Sequence, residues 1–327
     1  MTGRLRIVVI GDEASDPPPG IEVLVEVTDL VFAPDAATLD VAIRDAEVIF
    51  AWDGDGEMLA HAWPNANALA WIQAASAGVE DLLIPDLVES DVILTNARGI
   101  FDEPMAEYVL GLVIAFAKDF GGVFERGRRG EWRSHDTERV GGKRMLVAGV
   151  GSIGRAIGRA AQDLGMHVRG LGRTARPGDD IFEAIHDADE IVEAVSWADF
   201  VVDVLPLTPG TRHLFDARVF SAMQPNARFL NVGRGATVDE PALIEALREG
   251  RIAGAALDVF EEEPLPPDSP LWGMRNVIVS PHMSGRAAGW QVALVELFLE
   301  NLGLFLAGEP LRNVVHKRLG YPTWPRP

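Results

Sequence analysis

The sequence predicts an α/β protein built as two doubly wound parallel-sheet units, and three observations carry that expectation. Strand-length apolar runs alternate with helical patterns along almost the whole chain. These runs form two series, one on either side of an arginine-rich stretch near residues 126–144. At 327 residues the chain is long enough for two domains of ordinary size.

In the first series, residues 5–10, 22–27, 48–52, 70–73 and 92–95 read as strands, and 35–45 as a helix. Asp16-Pro17-Pro18-Pro19-Gly20 between the first two is a loop by its turn chemistry. A long helix follows from Asp102, a suitable N-cap, with Pro104 tolerated in its first turn. Met105, Val109, Leu112 and Phe116 share one face of it, and Gly121-Gly122 marks its expected end. From there to Arg144 the chain is basic, lacks apolar periodicity and reads as a surface arm suited to a subunit contact. The second series places strands at 145–150, 167–171, 200–205, 228–232, 253–258 and 277–280, with a long helix over 286–307.

Composition removes several function classes. With no cysteine there is no disulfide framework, thiolate metal site or cysteine nucleophile. A formal charge of −20 argues against nucleic-acid binding and reads as a solvated acidic surface. No stretch approaches the roughly 20 uninterrupted apolar residues of a membrane helix, residues 108–117 being the longest candidate. The start of the chain lacks the features of a secretory signal. A cytoplasmic protein with neither membrane nor nucleic-acid partner is expected.

Gly149-Val-Gly151-Ser152-Ile153-Gly154 joins a strand to a helix as Gly-x-Gly-x-x-Gly. Dinucleotide binding needs that order: a tight turn, close backbone approach to a pyrophosphate, then close packing of helix on strand. The pyrophosphate sits on the helix N-terminus, where free N–H groups point at it. Alone the pattern is weak in a chain with 33 glycines; between strand and helix it predicts a dinucleotide site. The next strand ends Gly170-Leu171-Gly172-Arg173-Thr174. Gly172 stands where an NAD site would carry an acid for the ribose 2′-hydroxyl, and Arg173 offers a guanidinium to a 2′-phosphate. NADP is therefore expected in preference to NAD.

Three segments follow strands on the edge where such sheets bind ligands. Gly233-Arg234-Gly235 offers a planar fork for a carboxylate. Glu261-Glu262-Glu263-Pro264 supplies carboxylates, and Pro281-His282 ends a strand. Taken singly, His282 would be a satisfied histidine, Arg234 an ion-pairing surface residue and Glu263 a solvated acid. The other six histidines (His61, His135, His167, His186, His213, His316) lack comparable context and metal-ligand spacing, and no metal site is expected.

At this point the chain resembles the D-isomer-specific 2-hydroxyacid dehydrogenase family over nearly all its length. The match adds Trp71-Ile-Gln-Ala-Ala-Ser-Ala77-Gly78-Val79-Glu80, Thr95-Asn96 leading to Met105-Ala106-Glu107, and Leu205-Pro206-Leu207-Thr208-Pro-Gly-Thr211. Six segments in family order make it specific, and Trp52-Asp53 to Leu59 is similar to the glyoxylate/hydroxypyruvate reductase branch. The resemblance implies that Arg234 holds the substrate carboxylate. It makes His282 the acid/base, paired with and oriented by Glu263, which directly precedes Pro264 as in the family motif. It puts Asp258 on the nicotinamide amide, the Ala77 and Gly78 N–H groups on a second carboxylate contact, and Trp52 near the substrate. The cofactor is expected on Gly149, Gly151, Ser152, Ile153, Gly154, Arg173, Thr174, Leu205, Pro206, Thr211, Val232, Gly233, Arg234, Asp258, His282 and Gly285.

The family architecture implies a Rossmann dinucleotide-binding domain over 98–285, inserted in a flavodoxin-like substrate domain of 1–97 and 286–327. It also implies a homodimer through the dinucleotide domain and a small 2-keto or 2-hydroxy acid as substrate. A cofactor-sensing, corepressor-like protein on the same fold is the alternative, which the complete Arg234, Glu263 and His282 set opposes. The family's formate enzymes lack a counterpart of Glu263, and its phosphite enzymes use an outer-domain lysine; here the lysines are Lys118, Lys143 and Lys317. A 3-phosphoglycerate dehydrogenase would carry more basic residues for the phosphate and often an extra regulatory domain.

Overall fold

In the computed structural model, which describes residues 4–322, the first sheet grows outward from β1 (Arg6–Ile10). β2 (Asp29–Ala33) pairs with one side of β1 and β3 (Val48–Ala51) with the other, followed by β4 (Trp71–Ala74) and β5 (Ile93–Thr95). The order is β2-β1-β3-β4-β5, all parallel. Alternation along the strands supplies two buried faces. Val8, Ile10, Ile49, Ala51 and Ile72 pack with residues of α1 (Ala36–Ala42), α2 (Gly56–Ala62) and α3 (Pro85–Glu89). Ile7, Val9, Val48, Phe50 and Trp71 form the other face.

The strand expected at 22–27 is instead a single 3-10 turn, Ile21–Leu24, and β2 begins later, at Asp29. Its β-branched residues favour a strand locally, but only one segment can occupy that edge of β1. Asp29–Ala33 takes it, with the Asp29 carboxylate 2.7 Å from Arg6. Ile21 and Leu24 are buried while Val23, Val25 and Val27 stay exposed.

α4 (Asp102–Ala117) buries Met105, Val109 and Leu112 but stops before Gly121-Gly122. Asp119, at φ 50°, breaks the chain direction and starts α5 (Phe120–Arg128), its carboxylate accepting from the Gly122 N–H at 3.1 Å. A Cβ on Gly122 would lie 2.4 Å from that carboxylate. The glycine that reads as a stop thus makes room for a cap.

The second sheet runs from β6 (Arg144–Ala148) through α6 (Ser152–Asp163) to β7 (His167–Leu171). β8 (Arg176–Pro177) and β9 (Ala184–His186) follow, too short to show a period in the sequence. Then come α7 (Ile191–Trp197), β10 (Phe200–Asp203), α8 (Ala217–Ala222) and β11 (Arg228–Asn231). α9 (Glu240–Arg248), β12 (Gly254–Leu257) and β13 (Val277–Val279) complete it. The order is β13-β12-β11-β10-β6-β7-β9-β8, parallel except for the β8–β9 pair. The order reverses between β6 and β10, where doubly wound sheets open a ligand crevice at their carboxyl edge.

α10 (Trp290–Ala307) begins after Gly289, at φ 86°, rather than at Arg286. Its 18 residues, with a mean hydropathy of 1.4, are long and apolar enough to cross a membrane by length and composition. The sequence reading, which took 108–117 as the longest apolar candidate, passed over it. Leu294, Val295, Phe298 and Leu302 cover the Ile7, Val9, Phe50 and Trp71 face of the first sheet, with Phe298 stacked on Phe50 at 4.4 Å between centroids. β14 (Val315–His316) and β15 (Tyr321–Pro322) form a final antiparallel pair. The contacts divide the chain into two units: residues up to Phe101 together with those from Ala288, and Asp102–Ala287.

Candidate active site

The predicted cofactor and catalytic residues all follow strands at the carboxyl edge of the eight-stranded sheet. Gly149 to Gly154 joins β6 to α6; Arg173 and Thr174 follow β7; Leu205, Pro206 and Thr211 follow β10. Val232, Gly233 and Arg234 follow β11, Asp258 follows β12, and His282 and Gly285 follow β13. A Cβ on Gly154 would lie 1.7 Å from the Gly149 carbonyl oxygen, so strand end and helix start meet with no room for a side chain. Gly151 caps α6 without a side-chain bond, which leaves the first N–H groups to a ligand. Both features fit a dinucleotide pyrophosphate.

His282 sits at φ 49°, a conformation uncommon outside glycine, with its N–H on the Asp258 carbonyl oxygen at 2.8 Å. Its Nδ1 meets Glu263 Oε2 at 2.8 Å, while Glu263 Oε1 accepts from the Phe260 N–H at 3.0 Å. Burial alone would raise the Glu263 pKa. The bonds from His282 and Phe260 and the charges of His282 and Arg234 outweigh it and hold the carboxyl below its usual value. Asp258 is buried and accepts from Ser280 Oγ at 2.7 Å and from the Met283 and Ser284 N–H groups at 2.9 and 2.8 Å. Against the raising effect of burial, these bonds keep it low as well.

Arg234 leaves β11 with its guanidinium Nη1 donating to the Gly233 carbonyl at 2.8 Å. Its main-chain carbonyl accepts from Asn231 Nδ2 at 3.0 Å, and Asn231 Oδ1 accepts from the Gly233 N–H at 3.0 Å. In the other unit, Trp52 follows β3, stacks on Trp290 at 6.3 Å and donates its indole N–H to Asp16 at 3.1 Å. Ala77 and Gly78 follow β4, their carbonyls accepting from Asn96 Nδ2 at 2.6 Å and Ser76 Oγ at 2.5 Å.

A family model described as "D-isomer specific 2-hydroxyacid dehydrogenase, NAD binding domain" matches residues 110–284, more than half of the chain. The chain belongs to that family. It is 35% identical over 265 residues to glyoxylate/hydroxypyruvate reductase B of Salmonella schwarzengrund, covering 76% of this chain and 79% of the relative. It is 33% identical over 278 residues to D-3-phosphoglycerate dehydrogenase of Methanocaldococcus jannaschii; that match covers 84% of this chain and 52% of the relative, about half its length. The structure of an NADPH-dependent glyoxylate/hydroxypyruvate reductase from Sinorhizobium meliloti, in complex with NADP and sulfate, superposes with a TM-score of 0.82. Sequence identity is 27%, over 96% of this chain and 99% of that one.

The chain is thus an NAD(P)-dependent dehydrogenase with a Rossmann-containing fold. Several residues around this dehydrogenase's site escaped the sequence reading. Arg176 opens β8 three positions past Arg173, a second arginine on the stretch after β7. Burial and the Asp258 charge raise the phenol of Tyr108, on α4, against a lowering by Ser280. His213 lies 2.5 Å from Glu261 on the loop that carries Glu263. Asp203 and Thr237 are fully buried behind Arg234. Arg176 apart, none carries a local signal, since each meets a partner distant in the chain.

Proposed function

We propose that the dehydrogenase reduces small 2-keto acids of the glyoxylate/hydroxypyruvate kind to D-2-hydroxy acids with NADPH. The observation that carries this reading is the 2.8 Å His282–Glu263 pair on the same sheet edge as Arg234 and the glycine turn. Arg234 binds the substrate carboxylate through its fork. Glu263 engages Nδ1 and orients the imidazole, so Nε2 is the nitrogen that gives a proton to the carbonyl oxygen, and recovers it in oxidation. When bound, the nicotinamide supplies the hydride. Asp258, acceptor-only and rigidly bonded, anchors the strand end next to His282. Arg173 and Thr174, with Arg176 beside them, would hold the adenosine 2′-phosphate, in keeping with the NADP in the Sinorhizobium relative.

The test follows nicotinamide absorbance with NADPH and with NADH against glyoxylate, hydroxypyruvate and pyruvate. His282→Ala is expected to lower kcat by about a thousandfold while cofactor affinity stays within a few-fold. Arg173→Ala should weaken NADPH by roughly tenfold or more and leave NADH alone. Cofactor binding without turnover of any keto acid would replace the enzyme reading by a cofactor-sensing one.

A further inference from the structure

The Thr237 hydroxyl has more acceptors than protons. Its oxygen lies 2.5 Å from Asp203 Oδ2 and 2.6 Å from the Arg234 main-chain carbonyl oxygen. A hydroxyl gives one proton, yet an ionised carboxylate and a carbonyl can only accept. Two oxygens this close with no proton between them repel. A protonated Asp203 removes the conflict: it donates to Thr237 Oγ1, and Thr237 donates to Arg234.

The surroundings favour that form. Asp203 and Thr237 are fully buried, and Asn231 nearly so. Asp203 Oδ1 accepts from the Leu205 N–H at 3.0 Å. The flanking strands present Ala148 on β6 and Asn231 on β11, neither of them charged. Burial raises the carboxyl to about 7 against the lowering by Thr237 and Leu205, and no charged group contributes. One buried acid therefore joins two segments of the site, the Leu205-Pro206 start and the Gly233-Arg234 turn.

We propose that Asp203 is a positioning residue for Arg234: as a neutral acid it holds, through Thr237, the main chain that presents the guanidinium, and it loosens that hold on ionising. The proposal rests on the assignment of Arg234 to the substrate carboxylate. Once Asp203 is charged, its carboxylate and the Arg234 carbonyl compete for one hydroxyl proton. Keto-acid affinity then falls as pH rises through neutrality, while cofactor affinity, set at the glycine turn, does not. The same ionisation affects stability. A folded pKa above the ordinary carboxylate value makes the contribution complete below that ordinary value, and it is lost as pH rises through about 7.

The experiment compares wild type with Asp203→Asn, whose amide reproduces the neutral acid by donating to Thr237 and accepting from Leu205. Thermal midpoints without ligand are read across neutral pH, alongside keto-acid KM, kcat and NADPH affinity. The wild-type midpoint is expected to fall relative to Asp203→Asn as pH rises, and its KM to climb about tenfold more, the equivalent of one hydrogen bond. Parallel midpoint curves, or KM profiles that superimpose, overturn the proposal. If Asp203→Asn fails to fold, Thr237→Val decides: it keeps the shape, breaks the relay and should raise KM about tenfold even in mildly acidic solution, and an unchanged KM overturns the proposal. Wild type in mildly acidic solution is the control that separates the two readings. No keto-acid turnover there refutes the function and Arg234's role with it, whereas the midpoint comparison reports the Asp203 proton by itself.

Discussion

At Asp258 three donors converge on one buried carboxylate, from Ser280 Oγ and from the Met283 and Ser284 N–H groups. An amide in its place could accept at only one atom and would turn an N–H₂ toward the remaining donors. Asp258→Asn is expected to cost about 2 kcal/mol at neutral pH, read by urea denaturation. The sign of the pH effect follows from the lowered folded value. The contribution is complete above the ordinary carboxylate range and is lost as pH falls through the folded value, so the gap to the variant should narrow below about pH 4. A gap constant with pH would mean that the bonds do not depend on the charge. At this scale the residue types of the site were legible, because arginine, glutamate and histidine each followed a strand. Their pairing was not local: Glu263 and His282 are 19 positions apart, and the family resemblance, not either neighbourhood, implied that they meet.

Among the elements, the strand–glycine–helix unit at 144–163 was legible because period, turn chemistry and helix start agree locally. Its tolerance is small. Gly154→Ala would drive a methyl into the Gly149 carbonyl, and about 3 kcal/mol of destabilisation with loss of NADPH binding is expected, measured by calorimetry and ligand titration. A well-folded variant that still binds NADPH would show that the turn can open. Two elements were misread for opposite reasons. Residues 22–27 have strand propensity but no edge to pair with. Gly121-Gly122 has stop propensity but serves the Asp119 cap of α5. The eight-stranded sheet also gained β8 and β9, which owe their existence to pairing, since Gly170 and Leu171 of β7 line up with Ile185 and His186.

For the whole molecule, α5 and the segment after it expose Phe120, Val123, Phe124 and Trp132. Such a run fits the homodimer expected through the dinucleotide domain. The homodimer expectation is tested by light scattering of wild type beside Trp132→Glu combined with Phe124→Glu: a dimeric wild type and a monomeric variant that still binds NADPH would support it, and equal masses would count against this run as the contact. The sequence by itself determined the two α/β series, the glycine turn and the residue types at the sheet edge, because hydrophobic period and turn chemistry are local properties. Tertiary structure alone decided which segment pairs with β1, where the α4 helix ends and that Asp203 is sealed behind Thr237. Each of those outcomes depends on competition for a partner or on exclusion of water by residues far along the chain, and neither is written in a local window.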